Sequence, residues 1–302
     1  MNVNCGPMVT VIIPAKNESG SIGDVVTGVR QELPNAEILV IDDGSSDDTG
    51  QIARASGAEV IRHVVSRGNG ASVRHGVSEA RGDIVVMLDG DGQHNPAEIP
   101  DLIAVLESGF DLVVGSRTGR SGQASWPRWL ANQIYNKTAS WMTGLEILDL
   151  TSGFRAARRD AFKSILPLLP NGFSYPTTST MAFCRAGLGV SFVPVNVTSR
   201  SAPEGSHIRP LRDGARFFLI IFKVATLYSP LKLFVPASLA FLLSGLAYYL
   251  YTFLNAGRFT NFGMLLLSTS VIIFFMGLIS EQITQLVYSQ SSRSEATDHK
   301  HA

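Results

Sequence analysis

Two cysteines, Cys5 and Cys184, are all that the 302 residues contain. They lie far apart and flank no metal-type spacing, so a disulfide scaffold is not expected, and two free thiols fit a reducing cytoplasm. An excess of one charge is also missing. The 25 basic residues balance 25 acidic ones, and nothing in the composition points to nucleic-acid binding. Charge itself is scarce: 17% of residues carry it and 45% are apolar. A soluble chain usually has about a quarter charged, so a membrane portion is expected. The opening MNVNCGPMVT has no basic start followed by an apolar run, which predicts no secretory leader. No repeat of fixed period and no low-complexity tract is present.

What is present begins as an alternation of two periods. Short runs rich in Val and Ile at 9–14, 37–41, 59–63, 84–88 and 112–115 read as strands. Between them, 22–32, 47–56, 71–80 and 97–108 read as helices. Ser19 or Ser21 is expected to cap the first, Ser46 the second, and Asn95 followed by Pro96 the fourth. Such alternation predicts an α/β fold with a mostly parallel sheet flanked by helices. Ligands then sit beyond the carboxyl ends of the strands, where three acidic turns fall: Asn17–Glu18, Asp42–Asp43 and Asp89–Asp91. Further on, 126–144, 162–169 and 178–186 read as helices and 190–195 as a strand.

The second solvent shows in the last hundred residues. Residues 231–254 are apolar apart from Lys232, and 262–280 carry no charge. About 20 apolar residues cross a bilayer as a helix. Two transmembrane helices joined by a turn at 255–261 are therefore expected, preceded by an interfacial helix over 214–229. The basic residues Arg200, Arg209, Arg212, Arg216, Lys223 and Lys232 precede the first span, against Arg258 alone in the turn. That bias places the large domain and both termini in the cytoplasm. The division expected is a catalytic domain over 1–205, juxtamembrane helices over 206–229, a hairpin over 230–288 with spans near 231–254 and 262–282, and a disordered polar tail over 289–302.

Asp89-Gly-Asp91-Gly-Gln93-His94 is the strongest local signal. It follows a buried strand, and two carboxylates one residue apart can face one hard cation. Oxygen donors suit Mg²⁺ or Mn²⁺, with a diphosphate completing the shell. The competing reading is an acidic turn with a calcium or no ligand, and His94 is as well explained by packing as by ligation. Asp42, Asp43 and Glu18 suit contacts to a base or ribose, with helix capping as the alternative for the first pair. The backbone of Arg67-Gly-Asn69-Gly can meet a nucleotide at a helix start. His75 reads as a polar helix-face residue. Arg155 and Arg158 read as salt-bridging surface residues.

The ordered set VIIPAKNE, VIDDGSSDDT, GNGASVRHG, MLDGDGQHNP, VVGSR and LTSGFRAARRD resembles the family 2 glycosyltransferases of GT-A fold. The branch it is most similar to contains dolichyl-phosphate mannose synthase and the polyprenyl-phosphate glycosyltransferases, and the likeness covers roughly 8–215. The resemblance implies nucleoside contacts at Pro14, Glu18, Asp42 and Asp43. It implies metal and donor-diphosphate contacts at Asp89, Asp91 and Gln93, and phosphate contacts at Arg117 and Arg128. Asn132, four residues beyond Arg128, stands where the branch has Ser. Arg200 matches a loop arginine that reaches the diphosphate, and Asn69 replaces a lysine of the donor site. Asp91, Arg117, Arg128 and Arg200 are thus the expected catalytic set. The expected partners are a UDP- or GDP-linked sugar, a polyprenyl phosphate, the membrane and a second copy of the chain. The expected reaction is hexose transfer to the lipid phosphate with inversion. A processive polysaccharide synthase and a non-catalytic nucleotide-binding membrane protein are the rival readings.

Overall fold

The computed structural model describes residues 8–117, 126–171, 175–197, 222, 226, 228–258 and 260–298, with side chains of the helix at 126 described from Asn132 and those of the last helix to Leu286. The side chain of Arg128, the whole of Arg200 and most of the helix expected over 214–229 lie outside them. The chain divides into two compact units, Met1–His207 and Ile208–Ala302.

The first unit is built on seven strands: β1 Val9–Ala15, β2 Glu37–Asp42, β3 Glu59–Arg62, β4 Ile84–Met87, β5 Leu112–Arg117, β6 Arg155–Arg158 and β7 Val190–Val195. Their order is β3-β2-β1-β4-β6-β5-β7. All pairs are parallel except those of β6, which runs antiparallel between β4 and β5, with Val86 and Val113 both opposite Ala156. The helices are α1 Ile22–Glu32, α2 Thr49–Ala55, α3 Asn69–Glu79, α4 Ile99–Glu107, α5 Trp126–Thr143, α6 Arg159–Ile165 and α7 Tyr175–Arg185.

Alternation decides which helix covers which face. Val11 and Ile13 of β1 join Val25, Val26 and Val29 of α1 and Ile99, Leu102 and Leu106 of α4 in one core. Ile12 points the other way, onto Gly76 of α3, where a side chain on the glycine would collide with it. Both faces are thereby covered, which explains strands that are apolar throughout rather than alternating.

Three local expectations change. The segment expected as surface arginines is strand β6, and Arg155 is fully buried. Ser46 does not cap α2; the helix starts at Thr49, whose N–H donates to Asp47. Ser21 occupies the cap of α1, but its hydroxyl donates to Gly90 O at 2.8 Å and ties α1 to the acidic turn. Asn95 does cap the turn before α4, accepting from Ala97 N.

The second unit is an antiparallel-length pair of helices, α8 Pro230–Ala256 and α9 Asn261–Asp298. Each holds a 26-residue apolar stretch, Pro230–Asn255 and Asn261–Leu286. At 1.5 Å per residue each spans about 39 Å, beyond the hydrocarbon thickness of about 30 Å. Few of these side chains are buried, as expected when the solvent is lipid. The helices approach through small residues: Gly277 lies under Phe234 and Gly245 under Leu267. Ser238 and Ser270 exchange hydrogen bonds, each hydroxyl donating to the other's carbonyl at 3.0 and 2.9 Å. The polar tail expected to be disordered from 289 continues as helix to Asp298. It contains no Gly or Pro, and adding residues to an existing helix needs no new nucleus.

Candidate active site

The carboxyl ends of β1, β2, β4 and β5 open onto one cavity of about 710 Å³. Its lining includes Pro14, Glu18, Asp43, Asn69, Asp89, Asp91, Gln93, His94 and Arg117. These expected site residues are therefore brought together. Asp42 and Asn132 are not in the lining; Asp42 is buried, and Asn132 is half-buried on α5.

Asp89 lines the cavity and is half-buried. Burial pushes its carboxyl up to about 6; the Asp91 and Glu18 charges push the same way, while an Asn69 hydrogen bond and the Arg155 charge oppose. Gly153 makes the fit possible, since a Cβ there would come within 2.5 Å of Asp89 Oδ2. Gly90 is less tight but still close: a Cβ would meet Ala15 and Ile22 at 3.2 and 3.3 Å. Gly92 has φ 72°, a left-handed turn that glycine adopts readily. The glycines of the motif thus let two carboxylates crowd one spot.

Crowded anions and orphaned acceptors are what a hard cation would relieve. Asn69 Oδ1 and His94 Nδ1 are both buried without a hydrogen-bond partner. Asp89, Asp91 and Gln93 offer the oxygen donors Mg²⁺ or Mn²⁺ takes. Among the described residues no three His, Cys, Asp or Glu side chains form a ready metal cluster. His94 is held neutral, its pKa lowered to about 4 by burial, which outweighs the Asp91 charge. It packs on Phe154 at 5.1 Å.

Asp43 lines the cavity, and its carboxylate is held there by hydrogen bonds. Its Oδ1 accepts from His63 Nδ1 at 2.8 Å and Arg67 N at 2.7 Å. Its Oδ2 accepts from Ser66 Oγ at 2.6 Å and Gly68 N at 2.9 Å. Burial pushes its carboxyl up, but these hydrogen bonds win and hold it well below the usual range. Asp43 thereby anchors the turn that presents Asn69. Behind it, His63 Nε2 meets His75 Nδ1 at 3.0 Å in a nearly coplanar pair, so His75 is a structural support as well as a polar face. Asp42 Oδ1 accepts from Ser45 N at 2.8 Å, while its buried Oδ2 faces Arg62 Nε at 3.6 Å and has no hydrogen-bond partner. Glu18 is aimed by Asn17, a left-handed residue with φ 57° whose carboxamide accepts from Ser46 N.

Arg117 reaches the cavity but not as a free cation. Its Nε and Nη2 grip Asp149 at 2.7 and 2.9 Å, and Nη2 also donates to Thr151. The fork fixes the guanidinium plane. Burial would raise the Asp149 carboxyl, and Arg117 pulls it below the ordinary value. Behind the site lies Arg155, donating to Ser179 Oγ at 2.6 Å, Pro176 O at 3.0 Å and Ser152 O. Its guanidinium stands 5.7 Å from the centroid of Tyr175. Nothing in the sequence pattern singles out Asp149 or His63, and that pattern places Arg155 on the surface rather than behind the site. The available signal for Asp149 was a lone carboxylate between Leu148 and Leu150, both apolar, just before the SGFR turn.

Residues 10–166 match the glycosyl transferase family 2 family, and residues 229–286 match the GtrB C-terminal hairpin. The chain belongs to glycosyl transferase family 2, and it is a glycosyltransferase with a C-terminal membrane hairpin. It is 31% identical over 246 residues to glycosyltransferase AglJ of Haloferax volcanii, covering 80% of each chain. It is 34% identical over 217 residues to the polyprenol monophosphomannose synthase of Mycolicibacterium smegmatis, covering 66% of this chain and 82% of that one. Among solved structures, glucosyl-3-phosphoglycerate synthase from Mycobacterium tuberculosis with Mn²⁺ and UDP-glucose is similar, with a TM-score of 0.58 and 25% identity over 73% of this chain and 78% of that chain.

Proposed function

We propose that this glycosyltransferase moves a hexose from a nucleotide sugar to a polyprenyl phosphate, with inversion and with Mg²⁺ or Mn²⁺ bound. The observation that carries the proposal is the pairing of Asp89 and Asp91 with a fixed Arg117 in one cavity, in a chain that ends in a membrane hairpin. The polyprenol-phosphate and undecaprenyl-phosphate transferases among its relatives, and the Mn²⁺ and UDP-glucose in the similar structure, support it.

The acceptor chemistry explains the residues. A phosphate monoester is largely ionised near neutrality, its second pKa being about 6, and needs no general base. One of its oxygens bonds to the anomeric carbon as the bond from that carbon to the donor diphosphate breaks, and the electron pair leaves with the nucleoside diphosphate. Attack from the face opposite the leaving group inverts the centre. The obstacle is repulsion between two phosphate groups, so cationic side chains must hold them. Arg117 presents a rigid guanidinium, and Arg128 and Arg200 are assigned the same task. Asp89, Asp91 and Gln93 would hold the divalent cation, which when bound neutralises charge on the departing diphosphate. Asp43, acting through residues 66–68, places Asn69 beside Asp89. The basic residues before α8 orient the catalytic unit and both termini to the cytoplasm.

The test is an assay of the purified chain with UDP- and GDP-linked hexoses and radiolabelled polyprenyl phosphate, with manganese and with chelator. Labelled lipid formed only with metal supports the reading. No lipid-linked product from any donor would overturn it.

A further inference from the structure

Between Thr143, where α5 ends, and Arg155, where β6 begins, the chain forms neither helix nor strand. Its backbone groups must find partners elsewhere. Helix α5 supplies several from its side chains. Ser140 Oγ accepts from Ile147 N at 2.9 Å. Asn136 Nδ2 donates to Leu148 O at 2.6 Å, and its Oδ1 accepts from Leu150 N at 3.1 Å. These two partners fix which end of the carboxamide is nitrogen. Leu148 O belongs to the peptide unit before Asp149, and Leu150 N to the one after it. One side chain thus pins both planes that adjoin the Asp149 Cα, and with them the two dihedrals that aim its side chain. Apolar burial does not do this. Ile147 and Leu150 are buried and hold the segment down, but neither fixes the rotation at 149, and Leu148 is 51% exposed. Thr177 Oγ1 donates to Leu150 O at 3.4 Å, one peptide too far on.

We propose that Asn136 is a positioning residue: by clamping the peptides on either side of Asp149, it sets the plane in which Arg117 meets the acceptor phosphate. The inference rests on the acceptor-phosphate role given to Arg117 above and adds the residue that aims it. Asp149 holds Arg117 by two parallel bonds, and such a fork forms only while carboxylate and guanidinium stay coplanar. The carboxylate's own rotamer is held locally, since Thr151 N and Oγ1 donate to Asp149 Oδ1 at 3.0 and 3.1 Å. The backbone that carries it is held by Asn136. Asn136 is not in the lining of the cavity, so its influence on the reaction runs through Asp149 and Arg117. The clamp also ties Asp149 to α5, the helix that carries Arg128. Two cations assigned to one phosphate thereby share a register. The chemistry demands a carboxamide, because the position must donate on one side and accept on the other.

The test compares the full chain in phosphatidylcholine liposomes as wild type, Asn136→Ala, Arg117→Ala and the double variant. Asn136→Ala should raise the apparent KM for polyprenyl phosphate about ten-fold, the scale of one hydrogen bond to a charged group, and leave the KM for the nucleotide sugar within about two-fold. A merely structural role would move both constants together, and an equal rise in the two overturns the proposal. In the Arg117→Ala background the same change should lose less than about two-fold, because the guanidinium it aims is gone. A further ten-fold loss there overturns the proposal. Asn136→Asp keeps the volume and the acceptor but removes the donor to Leu148 O; it should repeat the pattern, which covers an alanine variant that does not fold. A readout without turnover is the side-chain spectrum of ¹⁵N-arginine protein in detergent, where the Arg117 Nε–H is the signal lost in Arg117→Lys. Its exchange with water should be about ten-fold faster in Asn136→Ala than in wild type, and equal rates overturn the proposal. Faster exchange without sugar transfer to any polyprenyl phosphate would instead fault the assigned acceptor and leave the link from Asn136 to Arg117 standing.

Discussion

At Asp89, burial and the neighbouring Asp91 both favour the protonated acid. A carboxyl whose folded pKa is raised from 3.8 to about 6 weakens the fold as pH rises between those values, and the penalty is complete above about 6. The penalty at neutral pH is on the order of 2 to 3 kcal/mol. Asp89→Asn should therefore raise the Tm of the metal-free protein at pH 7 and lose the difference at pH 4. The same change should lower transfer roughly 100-fold or more. Scanning calorimetry at the two pH values and a turnover assay check both halves. Asp43 has the opposite sign. Its pKa lies below the ordinary 3.8, so its stabilisation is complete above that value and is lost as pH falls below it. The stability gap between wild type and Asp43→Asn, read from urea unfolding, should be widest at pH 7 and measurably smaller at pH 3. A gap of equal width at both would show that the charge is not what anchors residues 66–68.

Among the elements, β6 shows best why part of the fold is illegible in the sequence. The five strands of the first half announced themselves because each is a run of Val and Ile bounded by turn residues. Strand β6 reads RAAR, with an arginine at either end and small residues between. Alanines are there because the strand lies between β4 and β5 under packed helices, and that neighbourhood is set by residues far away in sequence. Arg155 misled for the same reason: its partners Ser179 and Pro176 belong to α7. The cavity was legible where one motif supplied it, at Asp89 to Gln93. It was not legible where two distant segments must meet, as at Arg117 with Asp149 or Asp43 with His63. Arg155→Ala should destabilise the fold by about 3 kcal/mol or more, because buried carbonyls lose their donor and a cavity remains. Equilibrium unfolding in detergent measures this, and a change below 1 kcal/mol would mean water replaces the guanidinium.

For the whole molecule, the decisive property is the side of the membrane on which chemistry occurs. Both termini of the hairpin must lie on one side, because two spans return the chain to where it entered. The turn between α8 and α9 carries Arg258 and ends α8 with Gly257 at φ 62°, a left-handed residue that reverses the chain. Basic residues cluster before α8 instead, and moving such a cluster across the bilayer is disfavoured. In intact cells expressing the chain with Cys5 and Cys184 replaced by serine, a membrane-impermeant maleimide should label Gly257→Cys and leave Glu107→Cys untouched. After permeabilisation both should react. The reverse pattern would put the acidic cavity on the outer side, away from the cytoplasmic pool of nucleotide sugars, and the donor class proposed here would fail with it.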